Sequence, residues 1–229
     1  AHAGAMFLDG LLEPSAVLGR TLRREIGWSL AIGGLAAASA LAIAIPLAWF
    51  ARRGAIRGGA LLMFAAGLFA APGPLIGLAI IAGMRQPELA WLDRLYSQSI
   101  FAPWLALTLR ALPITLLISW TAWRSLAEEP LETARSEGAA GSALLARIAL
   151  PQRLRWFAAA GLAALAVALG DLATVILVVP PRVTLLSQLI AQQVHYGVDD
   201  RLAGLGLATA LLFALLAGAV FLLSGRAER

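Results

Sequence analysis

The chain has 229 residues, of which 60% are hydrophobic and 14% charged, and its mean hydropathy is +0.82. A soluble domain is about 45–50% apolar and about 25% charged, and one soluble core of this size cannot hide so much apolar surface. A soluble enzyme and a disordered tail are excluded, and an all-α integral membrane protein is expected.

All 18 basic residues are arginine. Without lysine there is no P-loop, whose lysine reaches the nucleotide phosphates, and no Schiff-base nucleophile. There is no cysteine, hence no disulfide, thiolate metal site or thiol nucleophile. His2 and His195 stand far apart and no HExxH occurs, so no metal site is expected. The formal net charge of +5 comes from arginines set between apolar stretches. That pattern fits positive cytoplasmic loops and not a nucleic-acid partner. The first residues carry neither an initiator Met nor a signal-peptide pattern, so the sequence reads as part of a longer chain.

Residues 1–25 mix apolar and charged types around Pro14. They read as an external surface segment or as the link from an earlier helix. Five stretches then follow that can cross about 30 Å of hydrocarbon at about 1.5 Å per residue. They are Ile26–Phe50, Ala60–Gly83, Phe101–Trp123, Trp156–Pro180 and Leu202–Leu223. They are apolar all round, unlike the striped helices of a soluble bundle. Trp28, Trp49, Trp123 and Trp156 fall at span ends, where indole rings settle at the headgroup level.

Arginine placement predicts orientation. Arg52, Arg53 and Arg57 follow the first span; Arg124, Arg135, Arg147, Arg153 and Arg155 lie between the third and fourth; Arg226 and Arg229 end the chain. The other two loops hold only Arg85 and Arg94, and Arg182 and Arg201. The richer set is assigned to the cytoplasm, which puts the N-terminus outside and the C-terminus inside. Arg20, Arg23 and Arg24 pull the other way and are outvoted.

Inside the second span, Ala71-Pro72-Gly73-Pro74 predicts a helix break, because proline removes a backbone donor. Broken helices occur on transport pathways, while Gly73 and Gly77 offer a face for close helix packing. Pro113 predicts a kink in the third span. Arg110 and Asp171 are charges inside spans, each costing about 3 kcal/mol at the bilayer centre. Each stands nine positions from the outer end of its span, about 14 Å deep at helical rise, so an ion pair is allowed. Three readings stand: a translocation-path or gating element with Thr174, a structural pair, or span boundaries placed so that both residues lie near the interface.

The loop 124–155 is long, charged and helix-favouring. Pro130 suits a first helical turn, with Glu128, Glu129 and Glu132 near the positive end of the helix dipole. Gly138 can take a left-handed conformation and stop that helix. A second helix is expected over Ser142–Leu150, ending before Pro151. By itself this is a helical hairpin, with or without a partner.

Glu132-Thr133-Ala134, three residues, Gly138, nine residues, then Ile148-Ala149-Leu150-Pro151 resembles the Glu-Ala-Ala loop of permease subunits of binding-protein-dependent ABC importers. Thr133 stands where that pattern has its first alanine. The resemblance covers about Ile26 to Leu223 and implies the five-helix core of type I importer permeases, as a single domain over 1–229. It implies that the first loop helix is a coupling helix docked on an ABC ATPase dimer. Glu132 would contact the ATPase, Ala134 would pack in its cleft, Gly138 would turn the chain, and Leu150-Pro151 would anchor the second helix to the fourth span. This chain would bind no cofactor, and ATP would be used by the partner. The other implied partners are a second permease half, fused or separate, an external substrate-binding protein, and the lipid of a bacterial inner membrane.

Gly170-Asp171-Leu172-Ala173-Thr174-Val175, Pro180-Pro181, Thr184-Leu185 and His195-Tyr196-Gly197 look like the matching region of ferric-iron importer permeases. That subfamily often fuses two halves, and this chain looks like a C-terminal half. Thiamine and phosphonate permeases share much of the pattern and remain alternatives for the cargo. An intramembrane protease would need a nucleophile with a base, or metal ligands, inside a span, and neither histidine lies in one. An ATP-independent carrier would leave the loop pattern without a purpose.

Overall fold

The computed structural model describes residues 17–225 apart from 87, 140, 182 and 197–199, with side chains described over 23–192 and 209–223. Ten helices are named here: α1 Val17–Ala51, α2 Ala55–Ala70, α3 Gly73–Met84, α4 Ala90–Gln98, α5 Phe101–Arg124, α6 Glu129–Ser136, α7 Gly141–Gln152, α8 Leu154–Gly170, α9 Leu186–Tyr196 and α10 Asp200–Gly225. No strand occurs among the described residues.

Helices α1, α5 and α8 form the centre, each packed against the other two, and α10 lies along α8. Alanine makes this possible. Ala36, Ala40, Ala44 and Ala48 recur every fourth residue on α1 and are fully buried. Ala111 and Ala122 on α5 and Ala164 on α8 share a buried cluster with Ala40, Ala44 and Ala48, Ala168 packs with Ala36, and Ala102 and Ala106 of α5 pack instead on Ile76 and Ile80 of α3. In lipid there is no apolar-transfer gain between helices. Close backbone approach through small residues supplies the van der Waals contact instead.

Two helices, Arg23–Ala51 and Phe101–Arg124, are long and apolar enough to cross a membrane. Up to four crossings result if each of two bent pairs counts as one. The described residues are therefore all-helical, with two to four candidate spanning helices among them. In α10 the described apolar stretch is Thr209–Leu223.

The spans differ from expectation at three points. The second is two helices, α2 and α3, bent by 97°. Ala71 precedes Pro72 and adopts an extended conformation, φ −64° and ψ 123°, as the residue before proline must. The fourth does not run to Pro180: α8 ends at Gly170 and residues 173–178 form turns. The cause is Asp171, whose carboxylate takes the Thr174 N–H at 3.1 Å, a local bond that competes with the helix. The depth of Asp171 is thus not set by helical rise. Third, Trp123 is no headgroup ring. It is 1% exposed, donates from Nε1 to the Ile45 carbonyl at 3.0 Å, and packs on Trp49 and Phe157 with centroids 4.9 and 4.8 Å away.

Helices α4 and α9 occupy segments read from sequence as plain loops. Leu92, Leu95 and Tyr96 pack α4 on the α3–α5 contact. Their helical spacing was the available signal.

Candidate functional site

Two charged constellations stand out, one at the helix breaks and one at the loop helices.

At the breaks, Arg110 reaches from α5 to two interrupted helices. Its Nε lies 3.4 Å from Asp171 Oδ2. Its Nη1 donates to the carbonyls of Phe69 and Ala71, at 3.4 and 3.3 Å. Those carbonyls sit at the C-terminal end of α2, where the turn of the chain leaves acceptors without helical donors. A guanidinium there also meets the negative end of the helix dipole. Asp171 follows the C-terminus of α8, an unfavourable place for an acid. Arg110 and two donors from Thr174 offset this: the N–H on Oδ1, and Oγ1 on Oδ2 at 2.5 Å. Arg110 is 30% exposed at its side chain, Asp171 9%, and Thr174 is fully buried. The carboxylate is thus already occupied, and the guanidinium is its more open partner.

The 71–74 break and the 171–178 turns touch each other. A Cβ built on Gly73 would fall 2.7 Å from Thr174 Oγ1 and 2.9 Å from its backbone nitrogen. On Gly77 it would fall 3.1 Å from the Thr174 carbonyl oxygen. Pro72 and Pro74 turn the chain, and the two glycines let α3 lie on the turn. Tyr96 of α4 closes one side, donating to the Leu177 carbonyl at 3.2 Å. So Pro72, Gly73, Pro74, Arg110, Asp171 and Thr174 gather into one place.

The loop residues form a second unit. α6 starts with Pro130 in its first turn and closes on Gly138, at φ +92°. The Gly138 N–H bonds the Arg135 carbonyl at 3.0 Å and the Ala139 N–H bonds that of Ala134 at 2.8 Å, the two bonds of a Schellman cap. Glu132 and Thr133 face solvent. Ala134, with Leu131, is buried in this chain's own core, so its side chain is not on the surface open to a partner. Ile148 and Leu150 pack against that same core. The helix does not stop before Pro151. Residues Leu144–Ala149 are wound as a π-helix and Leu150–Gln152 continue it. Pro151 sits in the first turn of that last piece, where its missing N–H costs little. The break falls at Arg153, and α7 meets α8 at 80°.

Glu128, just before α6, makes no side-chain cap on its own helix. It binds three arginines instead. Oε1 is 3.3 Å from Arg52 Nη1, and Oε2 is 3.4 Å from Arg53 and 3.7 Å from Arg135. Arg52 is 4% exposed and stacks on Trp49 at 3.7 Å. Burial lowers the Arg52 pKa, Glu128 raises it in part, and Arg53 lowers it further. Arg153 is also lowered by burial, and donates to the Ser125 carbonyl. Sequence reading did not bring these groups together, because Arg52 and Glu128 are 76 positions apart.

Among the described residues no group of three or more His, Asp or Glu is placed to hold a metal ion. The side chains of His195 and Tyr196, and all of Gly197, lie outside the described residues. Comparison with protein-family models and with curated proteins returns no match for this chain.

Proposed function

We propose that this chain is the transmembrane permease subunit of an ATP-driven, binding-protein-dependent importer. The proposal includes five spans, with the N-terminus outside and the C-terminus inside a bacterial inner membrane. The observation that carries it is the loop helix α6. It is closed by a left-handed glycine at the position the loop pattern reserves for glycine. It exposes Glu132 and Thr133 while seating Leu131 and Ala134 on the bundle. A helix fixed on its inner face and polar on its outer face suits docking on a soluble ATPase. On this reading the chain uses no cofactor of its own and hydrolysis occurs in the partner dimer.

The two interrupted helices meeting at Arg110 support a transport role, because transporters build solute paths from discontinuous helices. The second permease half would complete that path. Ferric iron, delivered by an external binding protein, is the proposed cargo, on the resemblance around Asp171–Pro181. Thr174 and Arg110 already occupy the Asp171 carboxylate, so selectivity is assigned to the binding protein and not to a metal site here. The test is uptake into vesicles holding the whole complex with each candidate binding protein. ATP-dependent uptake of iron is expected. ATP-dependent uptake of thiamine or a phosphonate, without iron, overturns the cargo and keeps the permease. Uptake that needs no ATPase overturns both.

A further inference from the structure

Glu128 lies outside the Glu132–Pro151 loop pattern, yet it holds more ionic contacts than any residue within it. We infer that Glu128 is a positioning residue for coupling: it clasps α6 to the inner end of α1, so that the loop helix and the bundle move as one body. The inference rests on the permease reading above.

Three observations carry it. First, the Glu128 carboxylate has no capping task on its own helix: Pro130 carries no N–H, and the Leu131 and Glu132 N–H groups already bond the Glu128 backbone carbonyl at 3.0 and 2.9 Å. Second, its principal partner is buried. Arg52 has 4% of its side chain exposed and Glu128 51%, so the buried guanidinium takes its counter-charge from a carboxylate that water screens from one side. Arg53 and Arg135 are more open and salt screens them more strongly. Third, contact continues inward without a gap. Arg52 lies on Trp49, Trp49 on Trp123, and Trp123 on Phe157. These rings belong to α1, α5 and α8, the three central helices. Displacing α6 therefore either shifts all three helix ends or breaks the clasp.

The chain has no cysteine, so spin labels can be placed at Ala55→Cys and Ser136→Cys in the assembled complex. The distance between them reports the clasp, and uptake per ATP hydrolysed reports its use. With Glu128 intact, a narrow distance distribution is expected. Glu128→Gln should broaden it and lower uptake per ATP by about fivefold or more, the lower end of typical coupling between sites. Arg53→Gln with Arg135→Gln leaves the Arg52–Glu128 contact in place, so its folding is not threatened. It should give a smaller broadening that grows with salt. An unchanged distribution in both variants overturns the clasp, whether or not the complex transports. A broadened distribution with unchanged uptake per ATP overturns the coupling role. If the unmodified complex shows no ATP-driven uptake, the permease reading falls and the coupling role with it. The distances then still decide whether the clasp exists.

Discussion

Arg110 Nε lies 3.4 Å from Asp171 Oδ2, and this contact joins the middle of the continuous helix α5 to the point where α8 ends. Removing one partner of a buried pair costs about 3–5 kcal/mol, discounted here because 30% of the Arg110 side chain is exposed. Arg110→Ala should therefore sharply reduce folded protein, measured as the monodisperse fraction in detergent. Arg110→Leu with Asp171→Leu should recover more than either single change. Recovery should stay partial, because the Phe69 and Ala71 carbonyls lose their donor and Thr174 loses its acceptor. Strictly additive losses would mean that the pair contributes nothing as a pair.

Gly73 has no room for a methyl group. Its Cβ would sit 2.9 Å from the Thr174 backbone nitrogen, which cannot swing aside as a side chain would. Gly73→Ala should destabilise by about 1–3 kcal/mol, the usual cost of overpacking. Gly34→Ala is the control, since nothing lies within 4 Å of that site. It should be neutral or slightly stabilising. Thermal unfolding of the two proteins side by side checks this, and equal midpoints would contradict the close approach of the two breaks.

Gly138 holds φ +92° with open space around it. Gly138→Ala should cost only the left-handed backbone strain, about 1–2 kcal/mol. Gly138→Pro should do more, because it also deletes the N–H bonded to the Arg135 carbonyl and demands a negative φ. Glu132→Arg reverses the charge of an exposed residue and should leave the fold intact. On the proposed function, Gly138→Pro and Glu132→Arg release the ATPase or uncouple hydrolysis from uptake. Wild-type uptake by Gly138→Pro, at wild-type expression, would remove the case for α6 as a coupling helix.

Topology can be read with single cysteines in this cysteine-free chain. Ala55→Cys and Ser136→Cys should react with an impermeant thiol reagent only from the cytoplasmic side. Ala90→Cys and Gln192→Cys should react only from outside. All four positions fall at helix ends or on exposed surface. Labelling of Ala55→Cys and Ala90→Cys from one side would make the α2–α3 pair, bent by 97°, a re-entrant hairpin.

Much of this was legible in the chain itself, for local reasons. Prolines at 72 and 74 delete two donors wherever they stand, so the break at 71–74 needed no fold to announce it. Gly138 after an acidic, proline-started segment marks a helix end by backbone sterics alone. The apolar length of Arg23–Ala51 and Phe101–Arg124 follows from the bilayer and from 1.5 Å of rise per residue. Even the Arg110–Asp171 partnership was suggested by the cost of two charges in apolar spans. Other features depend on which surfaces meet. The end of α8 at Gly170 depends on Asp171 being held between Arg110 and Thr174. Apolar composition continues past it to Val179, so hydropathy sees no boundary. The burial of Trp123 depends on α1 and α8 arriving beside α5. The inward face of Ala134 and the clasp at Glu128 depend on folding the loop back on the bundle, across 76 positions in the case of Arg52. Sequence by itself determined the break at 71–74, the glycine stop at 138 and where charge falls along the chain, because those are properties of neighbouring residues. Only tertiary structure decided which charge answers which, because a side chain buried in lipid or protein takes its partner from whatever packing brings within reach.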